Sequence, residues 1–229
     1  MEFLWSLDIF RSPGTDRSSR EEHSRKLDEL LEFDIPAIEQ RLLDRAKSVR
    51  PDGHLWSLGQ GIHGGSQTWV GLDHQMLQTP YDEIREMFEL ISLSGVKKVI
   101  DLGAGYGRMG IFLHALDPEI NFTGHELVSE RVEEGNRIYQ KYNMNAELLV
   151  QDLTSDFFVM PEAQVYFIYD FGEVSHIRKI LNQLGELSDK KFALIARGKG
   201  TRALVDLEYP WLSDVKPVIR KENFAIYLS

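Results

Sequence analysis

Short apolar segments alternate with amphipathic segments from residue 81 onward, and this alternation restricts the fold more than any other feature of the chain. The apolar segments predict five strands, at residues 97–102, 121–127, 146–152, 164–170 and 191–196. The first of them, KKVIDL, lacks period-two alternation, which is typical of a strand buried on both faces. Helices are predicted between the strands, at residues 82–93, 106–116, 129–142 and 173–187. Strands separated by helices favour an α/β fold, a Rossmann-like doubly wound sheet that is mostly parallel.

The two ends of the chain depart from this alternation. Residues 215–220 and 224–228 predict two strands joined by a short turn, which is a hairpin that gives the sheet a C-terminal antiparallel edge. Residues 19–33 and 34–49 each place apolar side chains on one stripe. They predict two amphipathic N-terminal helices that precede the sheet.

The pattern changes near residue 75, where we divide the chain. Residues 1–75 are predicted to form an N-terminal helical extension with a Gly-rich lid segment, and residues 76–229 the main α/β domain. Four glycines lie in LGQGIHGG at residues 58–65, which suits either close approach of the main chain to a ligand or a flexible hinge or lid. We expect residues 55–80 to close over the bound ligand.

Composition excludes several classes of protein. The 229 residues contain no cysteine, so disulfides, thiolate metal sites and cysteine nucleophiles are ruled out. No two of the seven histidines are four residues apart, and the sequence predicts no metal site. The formal net charge of −10 argues against non-specific nucleic-acid binding and permits a basic protein partner. No signal peptide or membrane span is recognised, and we expect a cytoplasmic protein.

The first predicted strand runs directly into a glycine-rich turn, DLGAGYG at residues 101–107. Ligands of open α/β sheets bind at the carboxyl ends of the strands, so this turn is a candidate site. Gly103 and Gly105 let a ligand approach the main chain without meeting a Cβ, and the helix that follows offers amides to a carboxylate. Asp101 places a negative charge where an ammonium group could be held. The turn therefore suits an amino-acid moiety, which carries both charges.

Acidic residues end the next two predicted strands. Glu126 can accept hydrogen bonds from both hydroxyls of a ribose. Asp152 can accept a hydrogen bond from the amino group of an adenine, and Leu153 offers an apolar contact to the ring. An amino acid, a ribose and an adenine together make up S-adenosylmethionine, which we expect as the cofactor.

These residues carry a family resemblance. The segment 101–107, Glu126 and Asp152 resemble the cofactor signature of class I S-adenosylmethionine-dependent methyltransferases, over roughly residues 75–229. The resemblance implies that Gly103 and Gly105 line the methionine part, that Glu126 binds the ribose and that Asp152 binds the adenine amine. It also implies that the terminal hairpin forms the antiparallel edge of the sheet.

A second resemblance is narrower. Residues 78–81 (QTPY), the glycine turn and residues 124–126 (GHE) are similar to the core of the non-SET histone-lysine methyltransferases of the telomeric-silencing-disruptor type. A segment at a similar interval before the glycine turn touches the cofactor in that family, which implies a cofactor contact for Thr79. The resemblance implies a protein-lysine N-methyltransferase. The paired asparagines and the basic tail of that family are missing here, which argues against the nucleosome as the substrate.

Asp170 and Tyr169, at the end of the fourth predicted strand, are the candidate catalytic residues. Methyl transfer needs a nucleophile placed in line with the methyl group, so a residue that orients the methyl acceptor is the main requirement. Asp170 is the stronger candidate and Tyr169 the weaker one. The alternative for Asp170 is an N-cap of the helix predicted from residue 173.

Three other functions stay open. GYGRMG at residues 105–110 satisfies the G-x-G-x-x-G pattern of dinucleotide-binding proteins, although Asp101 at the strand end favours Gly103 as the first tight glycine. A small-molecule methyltransferase is the second alternative, because acceptor specificity depends on loops that differ between proteins of one fold. A non-catalytic module that binds the cofactor is the third.

Overall fold

The computed structural model describes residues 5–49, 69–215 and 218–229, and its centre is a seven-stranded sheet. The strands are Lys98–Leu102 (β1), Asn121–Glu126 (β2), Ala146–Val150 (β3), Val165–Tyr169 (β4), Ala193–Arg197 (β5), Ile219–Arg220 (β6) and Phe224–Leu228 (β7). Their order across the sheet is β3-β2-β1-β4-β5-β7-β6. Strands β1 to β5 are parallel, and β7 is antiparallel to both β5 and β6. The predicted doubly wound sheet with a C-terminal antiparallel pair is confirmed.

Helices connect the strands and precede them. A short 3-10 helix at Leu7–Phe10 comes first. The α-helices of the described ranges are Arg17–Leu30 (α1), Ile35–Val49 (α2), His74–Leu77 (α3), Tyr81–Glu89 (α4), Arg108–Leu116 (α5), Ser129–Lys141 (α6), Val174–Glu186 (α7), Lys199–Glu208 (α8) and Pro210–Ser213 (α9). The two predicted N-terminal helices correspond to α1 and α2. Among the helices of the described residues, none combines the length and the hydropathy that crossing a membrane requires.

Two hydrophobic layers cover the faces of the sheet. Val99 and Phe122 point into one layer, together with side chains from α1, α2, α4, α5 and α6. Ile100 points into the other, under α7, α8 and α9. Leu27 of α1 and Ile38 of α2 are buried in the first layer. The N-terminal helices therefore pack on the same core as the sheet.

The edge strand is shorter than the sequence predicts. A strand is predicted over residues 215–220, whereas β6 covers Ile219–Arg220 and Val215 lies in a bend after α9. β6 is the last strand of the sheet and pairs with β7 through only two residue pairs. An edge strand has a neighbour on one side only, so few hydrogen bonds stabilise additional residues of the strand, which accounts for the difference.

The helices α8 and α9 are not predicted by the sequence pattern. Gly198 precedes α8 with a φ of 87°, and a second glycine, Gly200, lies in its first turn. Glycines are typical of turns and disfavour a helix locally. The Asp170 carboxylate, at the distant end of β4, accepts a hydrogen bond from the first turn of α8 and so stabilises the start of this helix. A local sequence pattern gives no sign of such a contact.

Candidate active site

A cavity of about 240 Å³ lies at the carboxyl ends of the parallel strands. β1 is flanked by β2 and β4, so the strand order reverses here, where open α/β sheets bind their ligands. Residues 69–78, ahead of α4, contribute the opposite wall. The predicted site residues that line this cavity are Gly103, Gly105, Glu126, Leu153, Tyr169 and Asp170. Of the predicted lid, residues 55–68 lie outside the described residues.

Two glycines of the turn face in different directions. A Cβ at Gly105, where φ is 57°, would meet only the Gln78 side chain at 3.7 Å, so this main chain is open to the cavity. A Cβ at Gly107 would overlap the hydroxyl of Tyr139, which donates a hydrogen bond to the Gly107 carbonyl at 2.6 Å. In a dinucleotide fingerprint that begins at Gly105, Gly107 is the glycine that the pyrophosphate must approach. Tyr139 occupies that approach, which weighs against a dinucleotide site.

Glu126 is buried, and two main-chain amides fix its carboxylate. Gly105 donates to Oε2 at 3.0 Å, and Val128 donates to Oε1 at 3.0 Å. Arg131 adds a positive charge 3.8 Å from Oε1. A carboxylate has about four lone-pair positions, so it can accept further hydrogen bonds from the hydroxyls of a ligand.

Asp101 lies beside the main cavity, in an adjoining space of about 20 Å³ that Gly103, Gln78 and Tyr169 also line. Its Oδ1 is buried and has no hydrogen-bond partner among the described residues. Burial, reinforced by the charge of Glu126, raises the pKa of Asp101 well above its ordinary value. A buried carboxylate without a partner is unfavourable in the free protein, and an ammonium group would satisfy it.

We expect the substitution Asp101→Asn to raise the melting temperature of the ligand-free protein at pH 7. A carboxyl whose pKa rises on folding lowers the free energy of unfolding as the pH increases through its ordinary pKa. The gain should therefore disappear below about pH 4, where the carboxyl is protonated in both the folded and the unfolded chain. Thermal melting at both pH values measures it, with the exposed Asp189→Asn as the control. A variant less stable than the parent at pH 7 would contradict this account.

The remaining predicted cofactor residues occupy different environments. Leu153 is buried in the cavity wall. Asp152 is exposed, and its Oδ1 accepts hydrogen bonds from the amide and the hydroxyl of Thr154, both at 2.7 Å. Thr79 is buried beside Asp101 in the small adjoining space, outside the lining of the main cavity. The adenine contact of Asp152 and the ligand contact of Thr79 stay predictions.

Asp170 caps a helix, although a different helix from the one that the sequence indicates. Its carboxylate accepts hydrogen bonds from the amide of Gly200 at 3.0 Å and from the amide and hydroxyl of Thr201 at 2.7 and 2.8 Å. These donors belong to the first turn of α8. The cap of α7 is Glu173, in a capping box with His176. The alternative in which Asp170 caps the helix starting near residue 173 is therefore wrong, because the chain brings α8 to the end of β4.

Tyr169 stands between the main cavity and a larger polar cleft of about 720 Å³. The Arg197 guanidinium lies 3.9 Å from the centre of the Tyr169 ring, and Glu83 accepts from it at 2.8 and 3.2 Å. The Tyr169 hydroxyl donates to the carbonyl of Met76 at 3.1 Å. Met76 and Tyr169 line both spaces. The Tyr169 ring is therefore held at the boundary of the two spaces.

Sequence reasoning missed three polar residues of the cavity. Gln78 and His125 line it, and their buried side-chain nitrogen and oxygen atoms have no partner among the described residues. Burial and the charge of Lys98 lower the pKa of His125 to about 4, so the imidazole is neutral at pH 7. Arg131 is the third, on α6. Gln78 and His125 lie inside the QTPY and GHE segments of the narrower resemblance, which was the signal available for them in the sequence.

Comparisons with known proteins return solved structures of methyltransferases. An RNA methyltransferase from Salinibacter ruber, in complex with S-adenosyl-L-homocysteine, is 18% identical with a TM-score of 0.47, and the match covers 66% of this chain and 90% of that one. A putative RNA methyltransferase from Pyrococcus horikoshii is 19% identical with a TM-score of 0.47, covering 66% and 83%. A fragment of the StiE O-MT is 18% identical with a TM-score of 0.41, covering 50% of this chain.

The chain spans about two fifths of the length of the first solved structures it matches, at 41%, 43% and 40%. No protein-family model matches the sequence, and no curated protein matches it either.

Proposed function

We propose that the protein is an S-adenosylmethionine-dependent methyltransferase. The observation that carries the proposal is the set of groups at the ends of β1 and β2. Asp101 offers a buried carboxylate whose Oδ1 lacks a partner among the described residues, Gly105 offers open main chain, and Glu126 offers a carboxylate fixed by two amides. An amino-acid moiety and a ribose need these partners, so the residues present fit the cofactor. When bound, the cofactor supplies an electrophilic methyl group on a sulfonium sulfur.

The roles of the residues follow from their positions. Asp101 holds the ammonium group, and the Gly103–Gly105 main chain lies against the amino-acid moiety. Glu126 accepts from the ribose hydroxyls, and Leu153 packs on the adenine. His125 and Gln78, whose polar atoms are buried and unsatisfied in the described chain, are further partners for the nucleoside. A buried polar group that gains its first hydrogen bond from a ligand contributes to affinity.

The acceptor enters from the polar cleft beyond Tyr169. In-line transfer places donor and acceptor on opposite sides of the methyl group, and the Tyr169 ring lies between the two spaces. The charged residues that line the cleft are Asp16, Arg17, Arg20, Glu21, Glu83, Glu86, Arg197, Lys199, Arg202, Lys221 and Glu222. So polar a lining suits a polar acceptor. A protein lysine is one acceptor of this class, and a charged small molecule is another.

Incubation of a cell lysate with the protein and a methyl-labelled cofactor tests the proposal and separates the acceptors. We expect label in a protein band for a protein-lysine methyltransferase and in the low-molecular-weight fraction for a small-molecule enzyme. A heat-inactivated sample is the control. Absence of transferred label at saturating cofactor would contradict methyltransferase activity and leave a module that binds the cofactor.

The substitution Asp170→Ala separates a structural from a catalytic role of this residue. We expect a loss of about 1–2 kcal/mol in the free energy of unfolding, because three donors of the first turn of α8 lose their acceptor. Affinity for S-adenosylhomocysteine should stay unchanged. Urea unfolding and calorimetry measure these quantities, with Glu173→Gln, which weakens the cap of α7, as the matched control.

Single-turnover methylation completes that test. A severalfold lower rate per folded Asp170→Ala molecule, at unchanged cofactor affinity, would support a role in orienting the acceptor. An unchanged rate would remove Asp170 from the catalytic residues and leave it as the cap of α8.

A further inference from the structure

Arg131, on α6, connects three segments of the chain at the edge of the cavity. Its side chain is buried, with 6% of its surface exposed. Nε donates to Glu39 Oε1 at 2.8 Å, and Nη2 donates to Glu39 Oε2 at 3.1 Å. Nη2 also donates to the carbonyl of Trp69 at 2.7 Å, and Nη1 lies 3.8 Å from Glu126 Oε1. One guanidinium thus contacts α2, the segment that covers the cavity, and the carboxylate at the end of β2.

Glu39 holds this guanidinium from the N-terminal helix α2. It is buried and takes Arg131 in a two-pronged geometry, the arrangement that fixes a guanidinium most strictly. Its Oε1 also accepts from the hydroxyl of Tyr106, in the glycine turn, at 2.8 Å. Arg131 and Tyr106 both line the cavity. The α2 carboxylate is therefore connected to the cofactor site through two side chains.

We propose that Arg131 is a positioning residue for Glu126 and that Glu39 holds Arg131 in place, so that α2 sets the affinity for the ribose. The inference rests on the proposed function. Nη1 of Arg131 lies 3.8 Å from Glu126 Oε1, which is too far for a hydrogen bond. The guanidinium therefore attracts Glu126 by its charge and leaves free the hydrogen-bond positions that the ribose needs. The amides of Gly105 and Val128 fix the rest of the carboxylate. A carboxylate held in this way presents its remaining lone pairs to the cavity.

A second ion pair between the same helices provides a matched control. Arg45 of α2 and Glu130 of α6 form a salt bridge whose side chains are 60% and 31% exposed. Neither residue lines the cavity. Glu130→Gln removes a connection between α2 and α6 without touching the contact between Arg131 and Glu126. This variant therefore reports the effect of a weaker contact between α2 and α6 alone.

The test compares binding of S-adenosylhomocysteine with binding of its 2′-deoxy analogue by calorimetry. The unmodified chain should bind S-adenosylhomocysteine about tenfold more tightly, because Glu126 accepts from the 2′-hydroxyl. In Arg131→Met and Glu39→Gln the preference should fall below about twofold, while the affinity for the deoxy analogue changes little. Glu130→Gln should keep the full preference. If Arg131 and Glu39 had only a structural role, both ligands would bind more weakly by the same factor, and the ratio of their dissociation constants would be unchanged.

The failures of the two proposals are distinguishable. If the unmodified chain binds neither ligand, the proposed function is wrong and this inference is wrong with it. Suppose instead that the unmodified chain binds both ligands and clearly prefers S-adenosylhomocysteine. If the nearly isosteric variant Glu39→Gln keeps that preference, only the positioning role is overturned. Circular dichroism of each variant verifies folding, and Glu39→Gln provides the decisive ratio where Arg131→Met is unfolded.

Discussion

Replacing Arg108 with Met is expected to lower the free energy of unfolding by about 3–5 kcal/mol, the range for removing one partner of a buried ion pair. Arg108 is the first residue of α5 and its side chain is 2% exposed. It pairs with Asp28 of α1 through two nitrogens, one of them Nε at 3.1 Å. Nη2 also donates to Gln75 Oε1 at 2.9 Å. Among the described residues, the substitution leaves the buried Asp28 carboxylate with only the hydroxyl of Tyr81 as a hydrogen-bond partner, at 3.3 Å.

Urea unfolding measures this loss, and the same helix α1 supplies the control. Arg25 pairs with Glu22 and Glu29, but its side chain is 45% exposed. Because exposed pairs contribute little, Arg25→Met should change the free energy of unfolding by less than about 1 kcal/mol. Equal effects of the two substitutions would contradict the view that α1 is held to α5 by a buried charge pair.

Replacing Glu126 with Ala is expected to weaken binding of S-adenosylhomocysteine about five- to 150-fold. The ribose hydroxyls lose their acceptor, which corresponds to about 1–3 kcal/mol, and each 1.4 kcal/mol is a factor of ten in affinity. The amides of Gly105 and Val128 lose their partner as well, so the glycine turn becomes less ordered. Arg131 loses one of its two carboxylates. Calorimetry at one fixed temperature gives the dissociation constants of S-adenosylhomocysteine for the parent and for Glu126→Ala.

Glu147→Gln is the matched control for Glu126→Ala. Glu147 lies on the adjacent strand β3, is exposed and accepts only a 3.4 Å hydrogen bond from Thr123 among the bonds of the described residues. Its substitution should leave the affinity unchanged. If Glu126→Ala binds S-adenosylhomocysteine as tightly as the parent, the ribose role of Glu126 is wrong.

The sequence predicted those features that depend on local patterns. Each parallel strand begins and ends within two residues of its predicted bounds. The strands β1, β4 and β5 are marked by runs of apolar residues because they are buried on both faces. Glu126 and Leu153 line the cavity because the carboxyl ends of parallel strands meet at one edge of the sheet.

Features that depend on distant partners were not predicted. Asp170 caps α8 from thirty residues away, and Arg131 and Glu39 are 92 residues apart in the chain. The pairing of Arg108 with Asp28 spans 80 residues. Periodicity and spacing contain no signal for such contacts, because they arise only when the N-terminal helices pack against the sheet. For the same reason the sequence could not indicate that Glu39 of α2 contacts two residues that line the cavity, Arg131 and Tyr106.

The most direct test of the central claim is a calorimetric titration of the unmodified chain with S-adenosylhomocysteine and, separately, with NADH. The two ligands distinguish the proposed site from a dinucleotide site, which the G-x-G-x-x-G pattern at residues 105–110 would otherwise allow. We predict saturable binding of S-adenosylhomocysteine at one site per chain and no binding of NADH, because Tyr139 blocks the approach to Gly107. Binding of NADH with no response to S-adenosylhomocysteine would contradict the account.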